Sequence, residues 1–154
     1  MVLKIFSGLF LVQLVLSMSC DQKTEVMKNA GKIPVIIHNG NPVKETAEKC
    51  GEFSDAIIQS LSSSDDVYEL LVTDNLIESV KKEQYVEVIY AESFAVKAGK
   101  SELNIDRILI PLSGKFSSGG QATFFTGKEN YDNTPLVNSK GSAMIIEALG
   151  NLRN

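Results

Sequence analysis

Two runs decide the fold: Tyr85-Val86-Glu87-Val88-Ile89-Tyr90 and Leu103-Asn104-Ile105-Asp106-Arg107-Ile108-Leu109-Ile110, separated by the turn signal Ala98-Gly99-Lys100. Both are rich in β-branched and aromatic residues, the composition of pleated, half-buried backbone. Read as strands over 84–96 and 103–112, they send successive side chains to opposite faces. Tyr85, Glu87 and Ile89 then share a face, as do Leu103, Ile105, Arg107 and Leu109. The short connection permits an antiparallel hairpin and excludes a parallel crossover.

Upstream, Ile33-Pro34-Val35-Ile36-Ile37-His38 is a β-branched run that ends at Asn39-Gly40, a strong turn signal. Pro34 has no N–H to donate, which makes the run an edge strand or a strand beginning. Asn41-Pro42 reads as the N-cap and first position of a helix. Behind it, Val43, Ala47, Cys50, Phe53, Ile57, Ile58 and Leu61 recur at helical spacing. The spacing predicts a long helix over about 42–62. A buried strand is expected at 67–72, and a short helix from Thr73-Asp74 through Lys82. Downstream come a loop at 117–120, a strand at 121–126 and a turn-rich stretch leading to Thr134-Pro135-Leu136-Val137. A last helix is expected from Ser139 or Ser142 through Leu149, closed by Gly150. The class is α+β: an antiparallel sheet of about five strands, the long helix packed on one face, a short helix and a C-terminal helix.

Size and composition agree with one domain over 33–154. The chain has 154 residues, a net charge of −4, 44% hydrophobic and 22% charged residues, two cysteines and one histidine. Two cysteines do not make a disulfide framework, and a single histidine removes most zinc and iron sites. Lys plus Arg (15) fall short of Asp plus Glu (19), so no cationic field draws in nucleic acid. No cofactor motif is present.

The N-terminus indicates an address. Lys4 precedes a short apolar run from Ile5 to Leu16, which meets small residues at Ser17-Met18-Ser19-Cys20. That is the pattern of a secretory signal over 1–19, and the run is too short to span a bilayer. At Ser19-Cys20 the sequence resembles the leader of bacterial lipoproteins. Met18 is larger than that pattern favours, and Leu16 lies one residue early. The resemblance implies cleavage before Cys20 and a lipid on its sulfur, hence a membrane partner and residence in the bacterial cell envelope. Ordinary small-x-small cleavage at the same bond is the alternative, giving a secreted or periplasmic soluble protein. Residues 20–32 are polar apart from Val26 and Met27 and read as a flexible tether. Loss of 1–19 removes Lys4 and no acid, leaving 14 basic and 19 acidic residues.

Candidate chemistry is sparse. His38 stands beside a turn with no activating motif nearby. Cys50 lies on the helix stripe, where a thiol is buried and inert, with a Cys20–Cys50 disulfide as the competing reading. Asp65, Asp66, Asp74 and Asp132 lie in or near loops, and only spatial convergence would make them a hydrolytic pair. The charges inside the deciding strands carry more. Glu87 among Tyr85 and Ile89, and Arg107 among Ile105 and Leu109, are expensive to bury unpaired, so these faces are expected to be open to solvent or to a partner. Phe124 and Phe125 must point to opposite faces, so one meets solvent, a partner or a second covering layer. Tyr85, Glu87 and Arg107 are the expected binding residues. The expected function is an envelope-tethered, non-enzymatic binding domain, with an inhibitor or immunity-type protein as one form of it. Its acidic charge suits a basic protein partner. A small envelope hydrolase using carboxylates or His38, and a small-ligand carrier, are the alternatives.

Overall fold

The computed structural model describes residues 33–154; the expected signal segment, the tether and Cys20 lie outside the described residues. The Asn39-Gly40 turn sets the first element. Asn39 has φ 50° and Gly40 φ 78°, the left-handed pair that matches the twist of a two-residue hairpin. It joins β1 (Val35–His38) to β2 (Asn41–Pro42), so Asn41 and Pro42 close a hairpin and do not open the helix. The helix α1 (Ala47–Ser62) begins later, where Thr46 accepts a hydrogen bond from the Lys49 N–H at 3.3 Å.

The remaining order is β3 (Asp66–Val67), α2 (Asp74–Val80), β4 (Tyr85–Ala98), β5 (Ser101–Pro111), a short 3-10 segment (Lys115–Gly120), β6 (Ala122–Gly127), β7 (Leu136–Asn138) and α3 (Ser142–Arg153). The fold is α+β. Its sheet has seven strands in the order β2-β1-β4-β5-β6-β7-β3, with every pairing antiparallel. The expected count of about five fell short because β2 and β7, with two and three residues, are too brief to show a period. The strand expected at 67–72 is strand only at its start, and Tyr68 to Val72 leave the sheet edge to run beneath the second face. Gly150 lies inside α3, which continues to Arg153.

One face of the sheet carries the main core. Ile36, Val86, Val88, Ile108, Ile110 and Phe124 pack there against Phe53, Ile57 and Leu61 of α1 and Ile145, Leu149 and Leu152 of α3. The polar atoms within this layer are satisfied: Ser54 Oγ and Tyr90 Oη lie 2.8 Å apart, and the Asn138 side chain donates to the Ser60 carbonyl at 3.1 Å. Cys50 is buried and free, and burial pushes its thiol pKa up, with Glu45 adding to the shift.

The pairing of β4 with β5 slips between Ile89 and Phe94, where five steps along β4 match two along β5. This bulge reverses the alternation in β5. Ile105 and Leu103 belong to the main core, whereas Leu109 belongs to the opposite face. The expected grouping of Arg107 with both Ile105 and Leu109 is therefore corrected: Arg107 sides with Leu109 alone.

Candidate interaction surface

The second face divides along its length. At one end Tyr85, Leu109 and Phe125 lie under Ile77 and Val80 of α2, with Phe116 against them. Tyr68, Phe116 and Phe125 form a chain of edge-to-face rings with centroids 5.3 and 5.1 Å apart. Tyr85 is 7% exposed and Glu87 5%, so their expected openness is overturned. A second layer covers them, and it supplies the partners that a buried carboxylate requires.

Those partners come from two separate elements. Lys81 Nζ, one residue past α2, donates to Glu87 Oε1 at 3.0 Å, and the Tyr131 hydroxyl donates to the same oxygen. Lys81 follows Ile77 by one helical turn, so its stem lies on the buried side of α2 and its cation reaches the strand. Burial pushes the Tyr131 pKa far up, reinforced by its bond to Glu87, so the hydroxyl keeps its proton and remains a donor. Lys81 Nζ and the Arg107 guanidinium lie 5.6 and 5.9 Å from the Tyr131 ring centroid.

The loop that brings Tyr131 here is pinned at both ends. The Asp106 carboxylate accepts the Glu129 N–H at 3.1 Å, and the Thr126 carbonyl accepts the Asn133 N–H at 3.2 Å. Glu129 takes φ 67°. The loop folds so closely over Gly127 that a Cβ there would stand 1.8 Å from the Asn130 carbonyl oxygen, which only glycine allows. Asp106 also receives the Arg107 Nε–H at 2.7 Å.

Beyond Glu87 the cover stops. The register aligns Val35, Ile89, Arg107 and Gly127 across four strands on this face. Val35 is 53% exposed, Ile33 before it 62%, and Ile89 and Arg107 are half-buried. At its Arg107 end this row meets a cleft of about 180 Å³ between α2 and the 128–134 loop, lined by Asp74, Glu78, Lys81, Arg107, Glu129 and Tyr131 among others. Of the three residues expected from sequence, Arg107 lines the cleft, Glu87 is bonded to Lys81 and Tyr131 in its wall, and Tyr85 lies in the apolar layer.

The other candidates do not gather here. His38 shares the main-core side of β1 with Ile36, and its pKa is lowered by partial burial and then by the charge of Arg153. Asp132 stands beside Gly127 in the 128–134 loop. Asp65 accepts the Ser139 N–H at 2.9 Å and its hydroxyl, and these bonds hold the Asp65 carboxyl below its ordinary range. No group of three His, Cys, Asp or Glu able to hold a metal ion occurs among the described residues. Lys81, Tyr131 and Asp106 were missed from sequence. A Lys extending an apolar helix stripe and a Glu inside an apolar strand were the two visible halves of one pair.

Comparison of the chain with protein-family models, curated proteins and solved structures finds no match. No helix among the described residues is long and apolar enough to cross a membrane.

Proposed function

We propose that this chain is an envelope lipoprotein, held to a membrane through Cys20, whose residues 33–154 form a non-enzymatic binding domain of the inhibitor or immunity type. The observation that supports binding is the uncovered row Ile33–Val35–Ile89–Arg107 beside the cleft, on a sheet face otherwise roofed by α2. An apolar strip rimmed by charge, on a scaffold fixed from behind by two helices, has the make-up of a protein-binding patch. The cleft is smaller than the roughly 300–1,000 Å³ of sites that enclose small ligands, which favours a macromolecule over the carrier reading. The anchor rests on Ser19-Cys20 behind the apolar run.

A photo-crosslinker placed at Val35 in living cells tests the binding part. A discrete protein adduct at Val35, with none at the exposed Glu48 on α1, is the expected outcome; no adduct at Val35 sinks the reading. Mass spectrometry of the mature N-terminus tests the anchor. Acyl chains on wild type and their loss in Cys20→Ser are expected, and an unmodified Cys20 sinks that part alone.

A further inference from the structure

We infer that the open row and its cleft take a protein segment that presents a Lys or Arg side chain next to apolar residues. This rests on the binding reading above and names the partner class for its surface. The charges of the cleft are unequally committed. Lys81 is held by Glu87 at 3.0 Å and Arg107 by Asp106 at 2.7 Å, so both cations are already neutralised. The carboxylates of Asp74, Glu78 and Glu129 line the same cleft and make no ion pair among the described residues. What an incoming group meets is therefore net negative, although two bases stand in the wall.

The matching group is an organic cation on a chain. The three acids do not form a metal-holding group, and phosphates of nucleic acid or anionic lipid would be repelled. An ammonium or guanidinium head can reach the rim carboxylates while its stem and neighbouring residues lie on Ile33, Val35 and Ile89. The side-chain face, and not the strand edge, is the docking element. The Val43 N–H bonds outward-facing Ile36 and the Asn39 N–H bonds inward to Tyr85, so alternation places Pro34 on the outward set, where it offers no N–H. An added strand would meet a missing donor there.

Selection from a random peptide library on the full chain in nanodiscs, with empty nanodiscs to remove lipid binders, tests this. Enriched peptides should carry Lys or Arg beside apolar residues. Their affinity should fall by about tenfold or more in Glu78→Lys/Glu129→Lys and in Val35→Asp, through like-charge repulsion and loss of apolar contact. Glu48→Lys, an exposed acid on α1, should leave it unchanged, and circular dichroism should show all variants folded. Acidic winners, or winners that bind these variants normally, overturn the inference. If such winners are instead displaced by Leu71→Asp, on the exposed loop before α2, the binding reading survives and only this surface falls. A library that yields no binder above background overturns both.

Discussion

The two faces of the sheet share their strands but are closed in different ways. Under α1 and α3 the layer is almost wholly apolar, and its few polar atoms are tied to one another within it, as Ser54 is to Tyr90. Under α2 a single short helix, a 3-10 segment and a loop make the cover, and a carboxylate stands in the middle of it. A dry face held by two helices depends on volume, so it resists local change. A face closed by one ion pair and one hydroxyl depends on geometry, so it can end abruptly where the geometry ends. It ends at Ile89 and Arg107, and that boundary is the candidate surface.

The largest effects should fall on the dry face. Phe124→Ala empties a fully buried site and should cost about 4 kcal/mol in a urea unfolding series, whereas Tyr85→Ala, against the thinner cover, should cost about 3 kcal/mol. A Tyr85 cost below that of ordinary surface changes would mean that the second layer is not closed. Next comes Lys81→Met, which strands a buried carboxylate. It should cost about 2 kcal/mol, below the range for fully buried pairs because the Lys81 side chain stays 27% exposed. If Lys81→Met is neutral in the same denaturation series, the pair does not close the face.

Alkaline pH probes both faces together. Burial pushes the Tyr90 pKa from 10.0 to about 12, and burial also raises Tyr131. The unfolded chain releases these protons first, so their contribution is complete below pH 10 and is lost as pH rises toward 12 and beyond. The urea midpoint should drop steeply over that window, and less steeply in Tyr90→Phe. An equal slope in that variant would detach the loss from the Ser54–Tyr90 pair. The smallest effect belongs to the open row: Val35→Thr should change stability by under about 0.5 kcal/mol, measured by a thermal melt.

Much of this division was legible before any coordinates. The hairpin of β4 and β5, the Asn39-Gly40 turn, the stripe of α1 with Cys50 on it and the C-terminal helix all follow from local pattern. The start of α1 did not, because Asn41-Pro42 fits a helix start as well as a hairpin arm. Asn39-Gly40 announced the turn, but two residues of returning strand are too few to show the period that would tell a hairpin arm from a helix start. The reversed alternation at Asp106 was invisible for a related reason, since a bulge leaves the apolar pattern intact and changes only which face it serves. The candidate site failed differently. Glu87 was seen as a charge without a partner, yet one of its partners, Tyr131, lies 44 residues away in a loop. Pairing at that distance is a property of topology, and one sequence does not display it. Arg107 remained near the surface because the cover stops beside it.

The ends of the sheet carry a consequence of their own. Both outermost strands are two residues long, and Pro34, which has no N–H, stands immediately before the strand behind one of them. An unprotected edge is a template for sheet-to-sheet polymerisation. At these two ends a neighbouring copy finds little ladder to grow on, whereas β4 from Phe94 and β5 up to Ile105 pair only with each other. Growth from sheet to sheet would therefore have to start at the arm that β4 and β5 extend past their neighbours, and not at the ends of the strand order.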